Sequence, residues 1–251
     1  VILVAIATLA TIGVFKTSAR AEAQVDQEVA VLLAGIPQTG ATLGDPKAPI
    51  TLQVFADLEC PTVERFVGSR LPLIINTWVR NGVIKLEYRS LETDTRNEHT
   101  FFTQEIAALA AGRQDKMWNF VLTAVHEQHH KRVDLGYKGS RHVIAVKHFD
   151  YVTEEFLTDI ASRVPGLGVT QWRRDRDNTL LFKRVADGVH LAHVDGMHTT
   201  PAFLIGLSGG KTYRRIGPKT ERSYLINAAS LNKDVEDFAH HSAAYVQHRG
   251  A

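Results

Sequence analysis

The chain contains one cysteine in 251 residues, and that scarcity sets its first limits. A single thiol excludes an intramolecular disulfide and any zinc site built from several cysteines. An excess of charge of either sign is also missing. Lys and Arg number 29 against 27 Asp and Glu, and without residues 1–21, which hold Lys16 and Arg20 and no acid, both stand at 27. No uniform positive field is left to attract nucleic acid. The segment "QWRRDRD" alternates sign and reads as an exposed helix face or loop. There are no internal repeats and no low-complexity tracts.

Long apolar runs are absent except at the start. Val1 to Phe15, "VILVAIATLATIGVF", carries no charge. It is read as a truncated hydrophobic segment, short for a spanning helix on its own. Ala19-Arg20-Ala21 has the small-x-small form of a signal-peptidase site. Residues 1–21 are therefore expected to be either a cleaved signal or a retained membrane anchor. Both place the remainder outside the cytoplasmic membrane, secreted or anchored in the cell envelope. Apolar content of 44% and charged content of 22% suit an ordinary globular body.

Residues 22–49 read as a linker and N-terminal extension: a short helix or linker to Leu33, then irregular structure through "AGIPQTGATLGDPKAP". From Ile50 the pattern changes. Ile50, Leu52, Val54 and Ala56 alternate along a strand, and Pro61 suits the first turn of a helix. That helix runs towards Asn81-Gly82, with a bend expected at Pro72. Ile84, Leu86 and Tyr88 alternate with charged residues as a second strand, which completes a parallel crossover unit. Residues 101–130, 153–164 and 180–194 have helical spacing, whereas Lys131 to Asp150 shows no period and is expected to be an exposed loop. Ala202–Leu207, a Ser208-Gly209-Gly210 turn and Lys211–Ile216 form a predicted hairpin. "ERSYLINAASL" closes as a helix.

The expected fold is α/β: β-α-β, a mainly helical insertion over about 96–197, then β-β-α. Its domain is expected to span residues 50–232, followed by a C-terminal tail, 233–251. This layout, with "GDPKAPITLQVFADLECP", "KLEYRSLET", "AALAAGRQDKMWNF" and "TTPAFLIG", resembles the DsbA-like branch of the thioredoxin superfamily. "LLAGIPQTGATLG" is similar to exported, membrane-anchored bacterial members. The resemblance covers about residues 31–231.

It implies an active-site turn at Cys60-Pro61-Thr62-Val63, with Cys60 as the nucleophile. It also implies a client-binding loop at Thr199-Thr200-Pro201 with a cis peptide bond before Pro201. By sequence alone Pro201 is an ordinary trans proline at the start of a strand. Family oxidoreductases carry Cys-Pro-x-Cys, so Val63 removes the resolving thiol. Thr199 replaces a common glycine.

At a helix N-terminus a thiol is stabilised as thiolate, and the Cys60 pKa is expected to fall, though less than in dithiol relatives. The turn is expected to expose the sulfur. One thiol can form a mixed disulfide, released by the client's second cysteine or by an outside thiol. The implied activity is monothiol exchange, isomerase- or reductase-like, on cysteine-containing exported proteins or a small-molecule thiol. The alternative is a redox-inactive client-binding or chaperone module. Cys60 also reads as a small buried hydrophobe or a peroxide-sensing thiol.

Glu59 and His198 are possible modulators of the thiol. Glu59 is expected to be partly exposed, and an acid such as Glu59 or Asp57 would either accept its proton or raise its pKa. His126, His129 and His130, like His190 and His193, have spacing that admits a metal, but they read as solvated helix ends. No metal or cofactor is expected.

Overall fold

The alternating residues 50–56 form the central strand of a six-stranded sheet, ordered β1 (Gln38–Thr39), β2 (Thr42–Leu43), β4 (Ile84–Ser90), β3 (Ile50–Ala56), β5 (Ala202–Leu207), β6 (Tyr213–Ile216). The computed structural model describes residues 20, 22–134, 151–217 and 230–242. Strand β3 (Ile50–Ala56) pairs in parallel with β4 (Ile84–Ser90), Val54 opposite Tyr88 and Ala56 opposite Ser90. On its other side β3 runs antiparallel to β5 (Ala202–Leu207), which turns back into β6 (Tyr213–Ile216). All seven residues of β3 are buried, including Thr51 and Gln53, because helices cover both faces of the strand. In β4 only Ile84, Leu86, Tyr88 and Ser90 are buried, so the alternation in the sequence survives there.

Residues 34–49, expected to be irregular, contribute two short strands, β1 (Gln38–Thr39) and β2 (Thr42–Leu43). Gly40 supplies the positive φ of 58° that their turn needs. Two-residue strands are too short to show a period. Residues 22–33 form a helix, α1, whose Val25, Val29 and Leu33 enter the main core. Arg163 holds α1 to the body through Asp26 at 2.8 Å and reaches buried Glu127 at 2.8 Å.

Helix α2 (Pro61–Ser69) follows Cys60 and breaks before Pro72. The chain resumes as α3 (Leu71–Ile74) and a π turn (Ile75–Val79). The missing N–H of Pro72 accounts for the break.

The insertion is helical: α4 (Glu98–Gly112), α5 (Met117–Asp134), α6 (Glu154–Arg163), α7 (Val169–Asp175) and α8 (Thr179–Val194). Asn97, Thr153 and Asn178 cap three of these helices with their side chains. Helix α5 continues four residues into the segment expected to be a loop, and the rest of that segment, 135–150, lies outside the described residues. Trp172, in the stretch read as exposed, is fully buried and donates to the Ala107 carbonyl at 2.8 Å.

Gly188 lets α8 approach β4, since a Cβ there would stand 2.8 Å from the Ser90 carbonyl oxygen. The closing helix α9 spans residues 230–242 and buries Leu231, Val235 and Ala239, so ordered structure continues where the tail was expected to begin. Most of "ERSYLINAASL" lies outside the described residues. Among the described residues no helix is long and apolar enough to cross a membrane, and the hydrophobic segment 1–15 lies outside them.

Candidate active site

Cys60 occupies the N-cap of α2 with extended backbone (φ −73°, ψ 120°), and Pro61 fills the first helical position. A turn delivers it there: the Cys60 N–H donates to the Asp57 carbonyl at 3.0 Å, and the Glu64 N–H donates to the Cys60 carbonyl at 3.2 Å. The Thr200–Pro201 peptide bond is cis. Its loop meets the cysteine directly, with the sulfur donating to the Thr200 carbonyl at 3.5 Å. Cys60, Thr62, Val63, Thr200 and Pro201 are all buried, while Pro61 and Thr199 are half-buried.

The thiol departs from both expectations. It is 1% exposed, and burial pushes its pKa well above the ordinary thiol value. Asp94, which hydrogen bonds the sulfur, and then Asp57 push it further in the same direction, while the Thr200 contact pulls it back. The favourable field of the helix terminus is outweighed by lost hydration and two negative neighbours.

Asp57 is the organising acid. Its Oδ2 accepts the N–H groups of Thr93 at 2.9 Å, Asp94 at 2.8 Å and Thr95 at 2.9 Å. Its Oδ1 accepts from the Glu59 N–H, the Thr95 hydroxyl and the Gln104 amide. The loop after β4 is thereby wrapped against the cysteine turn. Thr93 and Thr200 share a hydroxyl hydrogen bond of 2.6 Å, which closes the loop on the proline side.

Beneath lies a second buried carboxyl, Glu105, which accepts from Tyr88 at 3.1 Å and Ser90 at 2.7 Å. Burial raises its pKa to about 8, with the Asp57 charge adding to the effect and the Ser90 and Tyr88 hydrogen bonds opposing it. From α5, Gln128 donates to the Leu58 carbonyl at 2.6 Å.

Glu59 is half-buried, and its N–H is one of the Asp57 donors. His198 is exposed, with its ring centroid 5.7 Å from that of His193. Asp94 and Asp57 are the charges that raise the thiol pKa beside the effect of burial. Among the described residues no group of three His, Cys, Asp or Glu could hold a metal ion, and the His129 and His130 side chains lie outside that description. Asp94, Thr93, Gln104, Glu105 and Gln128 escaped sequence reasoning. The one available signal was the polar run Glu92-Thr93-Asp94-Thr95 directly after a strand of the crossover unit.

The thioredoxin family model matches residues 37–162, half of the chain. The chain belongs to the thioredoxin family. Similar solved structures show the DsbA-like form of the fold. Wolbachia pipientis alpha-DsbA1 aligns with a TM-score of 0.55 at 18% identity, over 82% of this chain and 95% of that one. BdbD from Bacillus subtilis, in its oxidised form, aligns at 0.56 and 16%, over 80% and 97%. Chlamydia trachomatis DsbA aligns at 0.55 and 15%, over 81% and 91%. A search of curated proteins finds no match. The position three after Cys60 is filled by Val63, 2% exposed.

Proposed function

We propose that the chain carries out thiol–disulfide exchange outside the cytoplasm through Cys60 alone. The single observation that carries this reading is the 3.5 Å approach of the sulfur to the Thr200 carbonyl. It sets the thiol beside a backbone edge at which an extended client segment can add as a strand. Membership of the thioredoxin family and the likeness to Wolbachia pipientis alpha-DsbA1 and Chlamydia trachomatis DsbA support the same chemistry. The uncharged segment 1–15 supports export.

The steps balance without an internal partner. The Cys60 thiolate attacks one sulfur of a client disulfide, forming a mixed disulfide and expelling the other sulfur as thiolate. A second client thiol then attacks the mixed disulfide and releases Cys60 with the client's pairing rearranged and no net electron transfer. Two molecules of an outside thiol instead leave the client reduced and themselves oxidised. Net oxidation by an internal disulfide is excluded by the single cysteine.

Burial of the sulfur and its raised pKa favour a second reading, in which the groove holds clients without turnover. Refolding of ribonuclease with scrambled disulfides separates the two. Exchange predicts recovery of ribonuclease activity that Cys60→Ser abolishes. Holding without turnover predicts suppressed aggregation of a reduced client by both proteins, and no Cys60-dependent recovery.

A further inference from the structure

Two groups on which exchange depends are sealed: Cys60 is 1% exposed and Thr200 3%. A client segment therefore reaches neither the sulfur nor the Thr200 backbone until one of the surrounding segments moves. Three segments meet there: the turn 57–60, the loop 91–97 after β4, and the proline loop 198–201.

The turn and the loop after β4 are joined through an acid. Oδ2 of Asp57 accepts the N–H groups of Thr93 at 2.9 Å, Asp94 at 2.8 Å and Thr95 at 2.9 Å. Hydrogen bonds to a carboxylate are roughly twice as strong as those between neutral groups. The proline loop is fastened by weaker groups. The hydroxyls of Thr93 and Thr200 stand 2.6 Å apart, and the thiol, a poor donor, meets the Thr200 carbonyl at 3.5 Å. Thr93 is thus a two-sided clip, with its N–H on Asp57 and its hydroxyl on Thr200.

The proline loop is held at both ends. The Met197 N–H donates to the Ala192 carbonyl at 2.8 Å, and Ala202 pairs with Phe55 across the sheet. Between these points His198 is exposed and Thr199 half-buried. Parting of the two hydroxyls lets these few residues shift while β5 and the Asp57 wrap stay in place.

We infer that Thr93 is a positioning residue for exchange: its hydroxyl holds Thr200 over the sulfur, and clients reach Cys60 through a local opening in which the Thr93–Thr200 bond breaks. The bearing on clients rests on the exchange reading above. In the opened form the sulfur attacks a client disulfide, the S–S bond breaks as the mixed disulfide forms, and the Cys60 proton passes to the expelled thiolate.

The test uses the full chain with Thr93→Val, which keeps the N–H on Asp57 and loses the hydroxyl, and Thr93→Ser, which retains a hydroxyl. Iodoacetamide alkylation of Cys60 is timed at fixed pH over urea concentrations below the unfolding transition. Mixed-disulfide formation with glutathione disulfide is followed in parallel by mass spectrometry. Alkylation of the wild-type chain is expected to depend on urea much less steeply than global unfolding does, the mark of a local opening. Thr93→Val is expected to speed alkylation and adduct formation about tenfold without changing that shallow slope, and Thr93→Ser to stay within about twofold of wild type. Wild-type alkylation with the full slope of global unfolding overturns the inference even where Thr93→Val fails to fold. So does an unchanged alkylation rate in folded Thr93→Val, and in either case adduct formation by the wild-type chain leaves exchange standing. Faster alkylation with no glutathione adduct from any of the three proteins overturns the exchange reading, and the clip's role in client access falls with it.

Discussion

The phenol of Tyr88 donates to the buried carboxyl of Glu105 at 3.1 Å, joining the inner face of β4 to α4 directly below the cysteine turn. Ser90 donates to the other oxygen of the same carboxyl. Glu105 has a pKa raised to about 8, against an ordinary value of 4.5 in the unfolded chain. Its folded form retains the proton more tightly, so its contribution is fully present below about pH 4.5 and is lost as pH rises towards 8. The loss runs at about 1.4 kcal/mol per pH unit across that window. Glu105→Gln removes the titration. Urea unfolding from pH 5 to 9 should show the variant gaining on the wild type with rising pH and levelling above pH 8. Parallel curves would sink the assignment.

Asp57→Ala strips the acceptor from the Thr93, Asp94 and Thr95 amides at once. An unsatisfied buried donor costs about 1–3 kcal/mol, so the variant should lose more than about 3 kcal/mol in denaturant unfolding. The loop amides should also exchange hydrogen faster than in the wild type. Retained stability with unchanged exchange would show that the wrap around Asp57 is dispensable.

Val63→Cys places a second sulfur one helical turn from Cys60, a separation that a disulfide can bridge without moving the backbone. Mass spectrometry should find an intramolecular disulfide after mild oxidation, and the reduced variant should reduce insulin with catalytic turnover. A wild-type chain cannot form that disulfide. Two persistent free thiols under oxidant would show that the turn does not bring the sulfurs together.

Arg163→Ala leaves Glu127, 4% exposed, without its ion-pair partner and releases α1 at Asp26. Breaking a buried pair from one side costs about 3–5 kcal/mol. Pairing the change with Glu127→Gln should recover part of the loss in a double-mutant cycle. Additive effects would place the cost in α1 docking alone.

The framework was legible where local pattern and topology agree. Ile50–Ala56, Ile84–Ser90 and Ala202–Leu207 announce themselves as strands, and the proline and glycine punctuation places the crossover and the hairpin. The surroundings of the sulfur were not legible. Asp94 and Thr95 arrive from a loop whose residues have no periodicity, and they are drawn in by a carboxylate 37 and 38 positions earlier in the chain. A helix N-terminus is visible in sequence and argues for an acidic thiol. The dehydration and the neighbouring acids that overrule it exist only once the fold has closed.

Thr200 stands 140 positions beyond Cys60. Contacts of such span form late, because a long loop must close before they can reward it. A chain that has not yet closed β5 against β3 therefore carries its sulfur in the open, with the chemistry of a free thiol. Folding makes this protein quieter: an oxidant that meets the chain before closure acts on a more vulnerable molecule than the folded one.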